Sequence, residues 1–128
     1  MGVKTVWFER GQYPTYVGFC PSEKAWNREM RRMGVSNEPY PTEDGKCTWL
    51  QKDGKRAIII TMNERLDSKC PIGRVALLVH EAVHAWQYIL EDIGQHERPG
   101  KEIEAYAIQH LCLELLNAYQ KTRLAKNI

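Results

Sequence analysis

No two of the four cysteines, Cys20, Cys47, Cys70 and Cys112, stand close enough to make a C-x-x-C pair. That argues against a thiolate zinc cluster or a thioredoxin-type dithiol. Four dispersed thiols in a chain without a secretory signal read as reduced, half-buried residues, with one or two disulfides the alternative outside a cell. Long apolar runs are missing as well. None approaches the roughly 20 residues that span a bilayer, so no membrane partner is expected. The opening MGVKTVWFERGQYP has no continuous apolar core of the secretory kind, and Val6 stands where N-myristoylation needs Ser or Thr. The expected compartment is the cytoplasm of whichever cell makes the protein. Charge of one sign is scarce too: 18 Lys and Arg against 16 Asp and Glu leave +2, too little to imply nucleic acid or a membrane surface by itself. Repeats, low-complexity tracts and linkers are lacking, and 128 residues suit a single domain, 1–128, with one buried core.

What is present divides into a β-rich first half and a helical second half. Residues 3–8 (VKTVWF) and 16–20 (YVGFC) are short runs of branched and aromatic residues that read as strands. PSEKAWNREMRRMG predicts a helix, with Ser22 as N-cap, apolar positions at Ala25, Trp26, Met30 and Met33, and Gly34 as the stop. SNEPYPTEDGK is a loop. CTWLQ and RAIIITM flank KDGK, where Asp53-Gly54 is the type I′ hairpin pair. Ile58, Ile59 and Ile60 run without alternation, so both faces of that strand should be covered. Two long helices follow, over 72–93 and 101–124, joined by GQHERPGK. The order predicts an α+β fold, with a small mainly antiparallel sheet packed on a central helix and a second long C-terminal helix.

The first long helix carries LLVHEAVHAWQ, residues 77 to 87. Residues four apart share one helix face, so His80 and His84 can aim ring nitrogens at one metal ion. Glu81 is rotated about 100° from His80 and is better placed to act on a metal-held water than to bind the metal. This is the H-E-x-x-H logic of two ligands and a general base from one turn. Shuffling a chain with four His yields only about 0.01 such matches, so the pattern is suggestive by itself. A core helix with two incidental histidines is the bland alternative. The apolar neighbours Leu77, Leu78, Val79, Ala82 and Val83 count against it, because unsatisfied imidazoles and a carboxylate among them would cost several kcal/mol. Zn2+ would satisfy all three.

A hydrolytic zinc site needs a third protein ligand and an open fourth position. A histidine six residues after His84 is ruled out, because Leu90 stands there. His96, His110, Glu102 and Glu104 remain. On the second long helix Ile108, Leu111, Cys112, Leu115 and Tyr119 share one face, and Glu104 falls in the middle of that arc. Glu102 lies on the solvent side. A carboxylate centred in an apolar stripe wants a cation, so Glu104 is the expected third ligand, unless it serves as a first-turn acid or pairs with an arginine. Tyr106, in the same turn, is a candidate hydrogen-bond donor to a developing oxyanion, with ordinary packing as its alternative.

HEAVH followed by a glutamate twenty residues after His84 resembles the gluzincin arrangement of zinc metallopeptidases. HEAVHAWQ with EIEAYAIQ, and FCPSEKAWNREM upstream, is similar to small zincin-like metallopeptidases of tailed phages and prophages. The likeness is best over 72–120. It implies a minimal zincin-like core, a peptide or protein substrate, Zn2+ on His80, His84 and Glu104, Glu81 as base, and phage virion proteins among the partners. The acid that gluzincins often carry four residues after the third ligand is replaced here by Ile108, or by Tyr106 if Glu102 is the ligand. A substrate strand could add to a sheet edge, for which residues 56–62 are the candidate.

Two other functions compete. One is a zinc-stabilised virion or interaction protein with little catalysis. The other is a nucleic-acid-associated zincin of the SprT-like kind, suggested by Lys24, Arg28, Arg31 and Arg32 beside Trp26. Those charges read as a solvated helix face, and nucleic acid is not an expected partner.

Overall fold

A computed structural model describes residues 4–11, 13–35, 38–95, 97 and 99–123. Among these the elements run β1 (Val6–Trp7), β2 (Tyr16–Phe19), α1 (Glu23–Met33), β3 (Gly45–Lys52) and β4 (Lys55–Met62). A 3-10 turn (Glu64–Ser68), α2 (Pro71–Asp92) and α3 (Lys101–Thr122) follow.

Local chemistry sets most boundaries. Ser22 caps α1 by accepting the Ala25 N–H at 3.2 Å, which satisfies one of the four unpaired donors of a helix start. Pro71 opens α2 at a position where a missing N–H costs nothing. Asp53 and Gly54 both hold positive φ, 51° and 81°, the requirement of the type I′ turn.

The described strands make one sheet in the order β1-β2-β4-β3. β1–β2 and β3–β4 are antiparallel, whereas β2 runs parallel to β4, with Tyr16 beside Ala57 and Phe19 beside Ile60. The fold is thus α+β with a mixed sheet. One expectation fails here. Residues 56–62 are no edge, because β4 is paired on both sides and β3 is the outer strand next to it. A strand as apolar as β4 belongs in the sheet interior, where Ile58, Ile59 and Ile60 are all fully buried.

Helices cover both faces. On one, Ala25, Trp26 and Met30 of α1 pack on Leu50, Ala57 and Ile59. On the other, Leu78, Ala82 and Ala85 of α2 and Leu115 and Ala118 of α3 pack on Ile58, Ile60 and Met62. Alternation along β4 sends successive side chains to the two cores. α2 is thereby laid across β3 and β4, and its remaining face is open for other work. Among the described residues no helix is long and apolar enough to cross a membrane.

Candidate metal centre

The face of α2 turned from the sheet carries His80, which is exposed, and His84, which is half-buried. Their Nε2 atoms stand 3.1 Å apart, with the rings edge to face at 82°. His84 Nδ1 lies 2.9 Å from Gln87 Oε1. A carbonyl oxygen only accepts, so this contact puts a proton on Nδ1; in the neutral ring the lone pair is then on Nε2. The short Nε2–Nε2 contact is then either a hydrogen bond donated by His80 or two lone pairs meeting at one cation. Two nitrogens at 2.0–2.1 Å from a tetrahedral zinc stand about 3.3 Å apart, close to the spacing observed. The pair fits a metal.

Glu81, one residue on, is 5% exposed, close enough to His80 and His84 to feel their charges. Burial raises its carboxyl pKa, opposed by the nearby charges of His80, His84 and Lys46. Among the described residues it makes no ion pair. The room it occupies is left by Gly45, the first residue of β3: a Cβ there would stand 3.0 Å from Glu81 Oε2 and 3.0 Å from Leu77. Cys47 lies two residues along the strand, its thiol pushed up by burial and by the Glu81 charge. All four cysteines are free thiols.

Glu104 is half-buried in the first turn of α3, as the helical projection required, and its Oε2 accepts a hydrogen bond from Trp86 Nε1 at 2.9 Å. Among the described residues no three His, Cys, Asp or Glu side chains gather as a metal-holding group. The two histidines converge, and Glu104 does not complete a triad with them. Searches of family models, curated proteins and solved structures found no match to the chain.

Other expected positions are now placed. Glu102 is exposed. His110 is exposed and its Nε2 contacts the Glu9 carbonyl at 2.9 Å, so it is committed to the N-terminal segment. His96 lies outside the described residues. Tyr106 is 65% exposed and borders a cavity of about 480 Å³ with Trp86, Ile103 and His110, which none of His80, Glu81 and His84 lines. The structure therefore puts the expected oxyanion donor with His110 and not with the histidine pair, because position 106 faces outward on α3 while 104 faces α2. Trp26 is fully buried, so it is unavailable to any ligand of the α1 charges.

Two residues of the site escaped sequence reasoning. Gln87 follows His84 by three, the spacing of helix-surface neighbours, and that spacing was the available signal. Gly45 sat in a Gly- and Pro-rich loop, where nothing local distinguishes a glycine needed for close approach from one needed for a turn.

Proposed function

We propose that the chain is a zinc-dependent hydrolase that cleaves peptide bonds, with His80 and His84 holding the ion and Glu81 as general base. The observation that carries this reading is the 3.1 Å Nε2–Nε2 approach, with His84 Nδ1 committed to Gln87. Gln87 fixes the tautomer that a metal ligand needs and holds the ring in one orientation. When bound, zinc would supply Lewis acidity toward a carbonyl and a water acidified toward neutral pH. Glu81, buried and with a raised pKa, takes a proton on its carboxylate and returns it to the leaving amine, the behaviour of a base tuned by desolvation. Glu104 is the proposed third ligand, reached by a side-chain rotation away from its present contacts, the Trp86 indole among them.

A peptide is favoured as substrate by the open side of β3. A groove of about 560 Å³ runs there, bordered by Lys46, Thr48, Trp49, Tyr88 and Tyr40, and β3 begins at Gly45 against Glu81. An extended segment could add to that edge by main-chain hydrogen bonds. Free thiols at all four cysteines agree with a reducing compartment, and we place the protein in the cytoplasm, that of the host if phage-encoded.

The test pairs two variants. His84→Ala should lose stoichiometric zinc in metal analysis of the purified protein. Glu81→Gln should keep zinc and lose cleavage of a quenched-fluorescence peptide library; full activity in that variant would remove the mechanism. A second reading, a zinc-stabilised interaction or virion part, is favoured by Ile72, Val75 and Val79, exposed by 80%, 42% and 37% along α2. Zinc without peptide cleavage in the parent protein would select it.

A further inference from the structure

The largest of the three cavities described lies away from the histidines, where the β1–β2 ribbon meets the end of α1 and the β3–β4 turn. It has a volume of about 700 Å³ and is bordered by Trp7, Tyr16, Arg32, Lys55 and Arg56. Among the described residues no acidic side chain lines it.

The cations are arranged, not merely abundant. Arg32 Nε donates to Glu29 at 2.8 Å, and Arg56 Nη1 donates to Asp92 at 2.8 Å. Each acid holds one guanidinium nitrogen, and both arginines line the cavity. Lys55 has no acidic partner among the described residues. It stands directly opposite Lys52 in the ladder. Like charges at facing positions destabilise a strand pair, and an anion between them would remove that cost.

Flat surfaces stand beside the charges. Tyr16 is 47% exposed, and Trp7 meets it edge to face at 6.2 Å. The Arg10 guanidinium lies 4.1 Å over the Tyr16 ring and Arg32 lies 5.7 Å over Trp7. Aromatic rings and guanidinium planes are the surfaces on which unpaired bases stack. Arginine forks and lysine ammoniums are the usual partners of phosphate.

We propose that this cavity binds a nucleotide unit, its phosphate on Lys55, Arg56 and Arg32 and its base against Tyr16. The unit is either a free nucleotide or one residue of a single strand. Of the charged positions on α1 only Arg32 takes part, so the site differs from the helix face considered above. It is also independent of the zinc reading.

The experiment is fluorescence anisotropy of a labelled thymidine oligonucleotide with the full chain over a salt series, with adenosine monophosphate as competitor. Three cations on a single strand should give a log–log salt slope of about −2. Tyr16→Ala should weaken binding about 5- to 100-fold, the loss of one stacked base. Lys55→Glu should weaken it and flatten the salt slope, and its folding is not at risk because it places opposite charges across the ladder. His84→Ala should bind as the parent does. Competition by the mononucleotide at similar concentration assigns a free nucleotide; its failure assigns a strand. No binding at the lowest salt overturns the proposal. So does heparin or a phosphopeptide competing equally well while Tyr16→Ala behaves as the parent, which would leave charge alone.

Discussion

Asp67→Asn should be the most damaging single-atom change in the chain. Arg123 follows α3 and is fully buried. Its Nε donates to Asp67 Oδ2 at 2.9 Å, Nη2 donates to Oδ1, and Nη1 donates to the Met62 carbonyl at 2.9 Å. The Tyr119 ring lies 5.7 Å away, and its hydroxyl also reaches Asp67. A guanidinium does not deprotonate in a protein, so the amide would leave a buried cation with no counter-charge. Breaking a buried pair from one side costs about 3–5 kcal/mol. The Asp67 side chain is 24% exposed, which lets water screen part of the loss, and about 2–4 kcal/mol remains. Against a total stability of about 5–15 kcal/mol that is a large share. Urea unfolding should show a lower midpoint at unchanged slope. The double variant Asp67→Asn/Arg123→Met should be more stable than Asp67→Asn, because no unpaired cation is left. Should Asp67→Asn fall within about 0.5 kcal/mol of the parent, or the two changes simply add, the ion pair is not what holds the end of α3.

Three further outcomes are expected. Gln87→Met, which keeps length but loses the acceptor for His84 Nδ1, should weaken zinc about 10-fold, the low end for such supports because Gln87 is exposed; chelator competition measures it, and unchanged affinity would refute the tautomer argument. Gly45→Ala pushes a methyl to 3.0 Å from Glu81 and Leu77 and should cost about 1–3 kcal/mol, with zinc content kept and peptide turnover lowered; a variant as active and as stable as the parent would contradict the close approach. The buried Cys20 thiol is raised by desolvation from 9.0 to about 11. A raised acid stays neutral in the folded state while the unfolded chain ionises, so its stabilisation is whole below pH 9 and is lost as pH climbs to about 11, up to roughly 3 kcal/mol. Cys20→Ala should flatten that alkaline decline in thermal melts, and an unchanged decline would assign it elsewhere.

Where a signal was local, the sequence carried it. Ser22 and Gly34 bound α1, Asp53-Gly54 makes the hairpin turn, and both long helices lie within two residues of their expected ends. The histidine pair was legible for the same reason, since residues four apart on a helix need nothing beyond the helix to meet. Pairing between distant strands was not legible. Nothing in YVGF or RAIIITM states that β2 will run parallel to β4, and that single fact decides which strand is outermost. Glu104 shows the same limit at the site. Its inward direction followed from helical periodicity, whereas its bond to Trp86 depends on how two helices are rotated against each other. Tyr106 was assigned from adjacency in sequence, and two positions along a helix is about 200°, enough to carry a side chain to another face. The 3-10 turn and the burial of Arg123 were preceded by no pattern at all.

The parallel match of β2 with β4 also sets an order of events during synthesis. About 40 residues separate Tyr16 from Ala57, a delay of roughly 2–8 s at ribosomal speed. Until then the β1–β2 ribbon waits with Val17 and Phe19 uncovered, since a two-stranded ribbon scarcely holds by itself. Its partner is equally dependent: a chain beginning after Cys20 would leave the isoleucines of β4 on a bare edge open to intermolecular pairing. β2 is therefore what keeps the sheet beneath α2 from sticking to its neighbours.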